Sequence, residues 1–188
     1  MPYTQTYQLN DVLISASKGA KSATLVCGDG PVFFVASKAS EAPFGANTFD
    51  GDTTAVRQTM ELRATKELVE YFADFDAWAV GYLAANSERL FKKPLTEAQI
   101  KDQYHSPLKH SEKYDPLLRT KVNTSGGRAT RFWDTEGKVM AYPASLKGAL
   151  LVPKLHISHM WIMGTSCGCA VTVTDARLED VPSVECPF

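Results

Sequence analysis

The side chains in this sequence best suited to chemistry lie close together between positions 109 and 142. Arg119, Lys121, Arg128, Arg131 and Lys138 are cations, and Phe132, Trp133 and Tyr142 are large aromatics. Lys109 and Lys113 add charge just ahead of them. Leu118, Thr120 and Val122 alternate with Arg119 and Lys121, which predicts a strand with one apolar and one cationic face. A break at Ser125, Gly126 and Gly127 follows, and residues 129–133 read as a second strand. Residues 134–137 (Asp-Thr-Glu-Gly) read as a hairpin turn, with Gly137 able to take the positive φ such turns require, and 138–141 as the returning strand. Cations set among aromatic rings suit a single-stranded chain of phosphates and flat bases, because cations follow the phosphates and rings stack on the bases. Phe132 and Trp133 could equally be core residues. Neighbours on a strand point opposite ways, so at most one of the two belongs in the same core.

The elements that must position these groups can be read along the chain. Apolar runs at 23–27 and 32–35 flank Gly28, Asp29 and Gly30, a hairpin signal. Residues 37–53 are rich in small and turn-forming types and read as a loop, in which Phe44 and Phe49 are either buried anchors or exposed stacking groups. A strand is expected at 56–62, with Arg57 and Arg63 near its ends. One long helix is expected over 65–90, capped by Thr65 and carrying a core stripe of Leu68, Tyr71, Phe72, Phe75, Trp78, Ala79, Tyr82 and Leu83. Its acidic remainder should face away from any polyanion. A short helix follows, with Thr96 as cap and Gln99 at the capping-box position. Residues 104–116 read as a basic loop, 148–163 as a long strand and 169–178 as the last one; Trp161, beside Ile157 and Met163, is expected in the core. Strands and helices do not alternate, which predicts a mainly β fold with a helical insertion: an OB-like β-barrel of five or more strands with one long and one short helix. The expected organisation is one domain over 1–178, with the insertion at about 64–103, and a short acidic tail at 179–188.

Apolar content of 44% and charged content of 22% are values of a globular chain. No stretch has the length and apolarity of a membrane span, and the first residues lack the basic and apolar regions of a signal peptide, so a soluble intracellular protein is expected. The net charge of −1 excludes a uniformly basic binder of nucleic acid. The charge is uneven, however: residues 101–154 hold 10 Lys and Arg against 5 Asp and Glu. A local basic segment can still make a polyanion site. Cys27, Cys167, Cys169 and Cys186 are expected to be thiols.

His156, His159, Cys167 and Cys169 raise the alternative of a metal-binding domain. On a regular strand the two histidines would face opposite sides, and a C-x-C pair lacks the usual knuckle, so buried thiols and a histidine on the barrel face are the expectation, with no metal and no cofactor. No G-x-x-x-x-G-K-[ST], G-x-G-x-x-G or H-E-x-x-H occurs. The pairs Asp50/Asp52 and Asp74/Asp76 read as solvated acids, and no catalytic residue is expected.

Residues 86–121 and the hairpin after them carry a family likeness. Asn86-Ser-Glu-Arg-Leu-Phe-Lys-Lys-Pro-Leu-Thr-Glu-Ala-Gln-Ile, then Tyr104-His-Ser-Pro-Leu-Lys, then Asp115-Pro-Leu-Leu-Arg-Thr-Lys-Val, then Phe132-Trp-Asp-Thr-Glu-Gly follow one another in order. This pattern resembles the OB-fold single-stranded DNA-binding proteins of large eukaryotic DNA viruses and lytic phages. The resemblance implies sequence-tolerant binding of single-stranded DNA in replication or recombination. Lys109, Lys113, Arg119, Lys121, Arg128, Arg131 and Lys138 would neutralise phosphates, while Phe132, Trp133, Tyr142 and Phe44 or Phe49 would stack on bases. RNA is an alternative ligand, because the same contacts serve it. The tail ends in Glu185, Cys186, Pro187 and Phe188, and acidic tails with a terminal Phe in such proteins recruit replication partners. A homodimer is also expected. The rival reading is a virion or interaction protein of similar fold.

Overall fold

The computed structural model describes the backbone of residues 12–16, 22–27, 30–48, 51–52 and 54–179, and side chains from residue 31 onward within those spans. The chain opens with strands β1 (Val12–Ala16), β2 (Ser22–Cys27), β3 (Gly30–Val35), β4 (Ser40–Ala42), β5 (Ala46–Asn47) and β6 (Arg57–Arg63). Three helices follow: α1 (Lys66–Ala85), α2 (Ser87–Phe91) and α3 (Glu97–Gln103). Then come β7 (Tyr104–His105), β8 (Leu108–Lys109), β9 (Leu117–Asn123), β10 (Arg131–Trp133), β11 (Val139–Met140), β12 (Ala149–Met163) and β13 (Ser166–Leu178).

All of these strands join one sheet whose main path runs β1-β2-β3-β12-β13-β9-β6-β5. The β12–β13 hairpin is its spine. β2, β3 and β4 pair antiparallel with β12, and β7, β9 and β10 pair parallel with β13. The path has two ends, β1 and β5, and does not close on itself among the described residues. The fold is thus mainly β with a helical insertion between β6 and β9.

Burial alternates along the strands. In β9, Leu118, Thr120 and Val122 are buried while Arg119 is exposed and Lys121 half-buried, as the alternation predicts. In β10 the same rule separates the two aromatics: Phe132 is 1% exposed, and Trp133 lies half-buried on the opposite face. The inward side chains of β3, β6, β9, β12 and β13 share one apolar cluster with Leu68, Tyr71, Phe72, Phe75, Ala79 and Leu83 of α1. Tyr71 packs on Phe34 with ring centroids 4.3 Å apart, which joins the helix stripe to the sheet.

Several elements differ from the sequence expectation. The long helix stops at Ala85, because Asn86 turns its own side chain and backbone N–H back to the Tyr82 carbonyl. Ser87 then accepts from the Leu95 N–H at 2.9 Å, which bends the chain into a separate turn of helix, α2. The capping box of α3, with Thr96 and Gln99 bonded reciprocally, forms as expected. The stretches read as loops at 37–53 and 104–116 hold β4, β5, β7 and β8, short strands that pairing partners impose on weak local signals. Strand β1 has no counterpart in the sequence reading. The turn residues 28–29, and Phe49, lie outside the described residues, although Cys27 and Gly30 pair across the turn.

β9 and β10 lie in succession along one edge of β13 rather than beside each other. Lys121 is in register with Thr172, and Arg131 with Asp175. Thr130, 5% exposed, holds the junction: its hydroxyl donates to the Val173 carbonyl at 2.7 Å and accepts the Asn123 N–H at 3.1 Å. This clamp loops out residues 124–129 between the strands. Thr130→Val keeps the shape but leaves two buried backbone groups without that partner. It should lower unfolding free energy by about 1–3 kcal/mol in a urea titration, and an unchanged midpoint would show that the clamp is not needed.

Candidate nucleic-acid interface

The outer face of the sheet collects the polar side chains that alternation turns away from the core. Three depressions adjoin there. The central groove, about 1100 Å³, is lined by Arg57, Arg128, Arg131, His156, His159 and Thr172 among others, and no carboxylate is among its described lining residues. A second depression of about 400 Å³ shares Arg57 and adds Arg119, Lys121, His105 and Trp161. A third, about 280 Å³, holds Trp133, Lys154 and Asp175. Arg131 links the first to the third, because its guanidinium lies 2.7 Å from Asp175 and 5.6 Å from the centre of the Trp133 ring.

The cations are brought together by pairing across long stretches of sequence. β6 pairs antiparallel with β9, placing Thr59 opposite Lys121 and Glu61 opposite Arg119. The Lys121 ammonium donates to Thr59 Oγ1 at 2.7 Å. Burial, then Arg119 and Arg57, push the Lys121 pKa down. His159 is pushed down by burial and then by Arg57; His156 by burial, Arg128 and His159. The groove is therefore a place where positive charges already repel one another, and an anion entering it would relieve that repulsion.

β12 carries two register shifts, one of them between Ile157 and His159. Ile157 pairs with Val171 and His159 with Ala170, so Ser158 is the extra residue of a bulge. The bulge offsets the odd spacing of the histidines, and both line the central groove. The expectation that they face opposite sides holds only for an unbroken strand. Cys167 and Cys169 point instead into the core; burial pushes the Cys167 thiol up to about 11 and Cys169 higher still. The four residues do not converge, and among the described residues no group of three His, Cys, Asp or Glu is placed to hold a metal.

Trp161 is not a core residue. It is half-buried at the groove, its ring stacked on His105 with centroids 5.8 Å apart and planes 22° from parallel. Both lie over Gly168. A Cβ there would fall 2.6 Å from a Trp161 ring carbon and 2.6 Å from the His105 carbonyl. His105 is in register with Gly168, and its two neighbours are tied to helix α1: Tyr104 Oη and Ser106 Oγ both donate to the Asp76 carboxylate. Burial raises the Asp76 pKa, against the lowering effect of those two hydrogen bonds. Asp76 is thus a bracket for the groove wall, not a solvated acid. Gly168 also completes the sequence G-x-S-x-G at 164–168, a spacing the motif reading overlooks. Here it lies in the β12–β13 hairpin, not at the strand-to-helix elbow where that spacing exposes a nucleophile.

Of the residues singled out from sequence, Arg119, Lys121, Arg128, Arg131 and Trp133 come together at these depressions. Lys109 lies near Arg119, ion-paired to Glu61. Lys113 sits in the exposed loop before β9, and Lys138 is paired with Glu136 in the turn after β10. Phe132 is enclosed by the core and cannot stack on a ligand. Tyr142 packs edge-on against Phe132 at 5.1 Å and, with Phe44, lines a separate cavity of about 350 Å³. Glu185, Pro187 and Phe188 fall outside the described residues. Arg57, His105, Lys154, His156, His159 and Trp161 were missed as site residues. The usable signals were Gly168 at the edge of the predicted last strand, where a glycine marks close approach of another group, and Arg57 within a predicted strand.

Gly168→Ala forces the Trp161–His105 stack apart or moves β7. It should cost about 1–3 kcal/mol of stability and shift the tryptophan emission maximum to the red. An unchanged melt and emission spectrum would contradict the close packing.

No family model and no curated protein matches the sequence. Solved structures do match. The single-stranded DNA-binding protein of bacteriophage Enc34, in complex with ssDNA, is similar over 90% of this chain and 96% of its own, at 8% identity and a TM-score of 0.51. A second structure of that protein covers 94% and 96% at 9% identity with a TM-score of 0.49. The single-stranded DNA-binding protein gp2.5 of bacteriophage T7 covers 79% and 92% at 17% identity with a TM-score of 0.48. The β-dominant, OB-like sheet with its helical insertion is thus a fold this chain shares with the Enc34 protein.

Proposed function

We propose that this protein binds single-stranded DNA without strong sequence preference, in phage DNA replication or recombination. The observation that carries this reading is the central groove: three arginines and two histidines with no carboxylate among the described lining residues, flanked at its ends by Trp161 and Trp133. The shared fold with the Enc34 protein, which is named for binding single-stranded DNA, supports it. Arg57, Arg119, Lys121, Arg128 and Arg131 neutralise phosphates. Trp161 and Trp133 offer ring faces to bases, a contact every base can make and therefore tolerant of sequence. Lys109 and Lys113 extend the field at the rim. The role is binding, with no reaction catalysed, and residues 1–178 act as one domain. The acidic tail, through Glu185, Pro187 and Phe188, is proposed to contact replication proteins.

The test is a titration of a fluorescein-labelled dT oligonucleotide of about 30 nucleotides at several salt concentrations, beside a duplex of equal length. Binding should favour dT and weaken steeply with salt. Arg119→Ala and Arg57→Ala should each weaken binding and reduce the salt slope by about 0.7. Trp161→Ala should cost about 1–3 kcal/mol of binding while leaving the salt slope unchanged. Trp133→Ala should act in the same direction without unfolding the protein. Equal affinity for duplex, or no binding to dT at low salt, would overturn the proposal.

A further inference from the structure

We infer that His156 and His159, brought to one face by the Ser158 bulge, form a phosphate subsite of the central groove that takes up protons when single-stranded DNA binds. This rests on the DNA-binding reading above and assigns a chemistry to two residues that the cationic pattern of the sequence leaves out.

The surroundings of the pair decide its character. From β3, the Phe33 ring packs against His156 with centroids 4.9 Å apart, and the Lys154 ammonium of β12 lies 4.6 Å from the same ring. From β13, Thr172 is in register with His156 and Ala170 with His159. β2 runs on the other side, with Thr24 in register with His159. Arg57 of β6 and Arg128 of the 124–130 loop are the charges that act on the two rings, and Arg131 of β10 lines the same groove. Ser158 Oγ lies 2.8 Å from His159 Nδ1. Among the described residues, every charged side chain lining the groove with the pair is a cation, and no carboxylate lines it to hold a proton on either ring.

In the free protein burial and these cations keep both imidazoles neutral to lower pH than usual. A phosphate beside them reverses the sign of the local field and raises their pKa values. Because the bound state then holds more protons than the free state, binding strengthens as pH falls through the window between the two sets of values. It weakens as pH rises through that window. A regular strand would turn one ring inward, so the bulge is what makes a two-imidazole subsite possible.

The experiment is a dT-oligonucleotide titration at constant ionic strength between about pH 5.5 and about pH 8, a range in which histidine is the side chain that ordinarily titrates. Wild-type affinity should fall on the order of tenfold across it, about one pKa unit of linkage. The double variant His156→Gln/His159→Gln should lose this slope and match the wild type at the alkaline end. His156→Lys/His159→Lys, with fixed charge, should bind tightly at both ends. Imidazole NMR titrations of the wild type should show both pKa values rising on addition of dT, which needs no variant to fold. An unchanged slope in the Gln variant, or imidazole pKa values that dT does not move, overturns the subsite and leaves the DNA-binding reading intact. Absence of dT binding at any pH in low salt overturns both.

Discussion

Nearly everything in this protein hangs on the hydrogen-bonded ladder between β12 and β13. These two strands, of 15 and 13 residues, are the longest among the described residues, and strands from the N-terminal part and from the middle of the chain attach to their outer edges. A ladder of that length fixes which side chains face the core and which face outward. One side then buries Leu155, Ile157, Met160, Val171 and Val173, while the other offers Lys154, His156, His159 and Trp161. An irregularity in the ladder is consequential for the same reason. The extra residue at Ser158 reverses the facing of everything beyond it, and so brings His159 and Trp161 to the side that His156 already occupies.

The groove concentrates positive charge in a chain whose net charge is −1. The arginines of the groove and of the depression beside it come from β6, β9, β10 and the loop after β9, and Arg57, Arg119 and Arg128 each lower the pKa of a neighbouring base. Crowding like charges costs stability, and here that cost is limited by partial exposure and by acids placed at the margins. Asp175 anchors Arg131 and accepts the Trp133 indole N–H at 3.2 Å; Glu61 anchors Lys109. The acids hold the ends, and the described wall of the central groove has none. That arrangement suits a ligand that brings its own negative charge and is exchanged with counterions.

The helical insertion contributes through position and not through charge. α1 buries one face against the sheet, and from that face Asp76, four residues after Phe72 and three before Ala79, reaches the Tyr104 and Ser106 hydroxyls that flank His105. The wall that stacks on Trp161 is therefore held by a helix about 30 residues earlier in the chain. An acid read as surface decoration turns out to brace the site. Spacing alone could not distinguish the two roles, because what matters is where Tyr104 comes to rest.

By itself the sequence determined the period-2 alternation of β9, the turn at Gly137, the caps at Thr65 and Thr96, the core stripe of α1 and the basic character of the middle of the chain. These are local properties: they depend on neighbours a few positions away, where backbone geometry dictates direction. Tertiary structure decided the rest. It placed Arg57 beside Lys121 through the β6–β9 pairing, sent Phe132 inward with Tyr142 packed on it, and put Trp161 over a glycine in the adjacent strand. It also broke the ladder at Ser158, so that two histidines that a regular strand would separate share one wall. Register and bulges depend on partners far away in the chain, and a pattern read along one strand carries no information about which strand lies beside it.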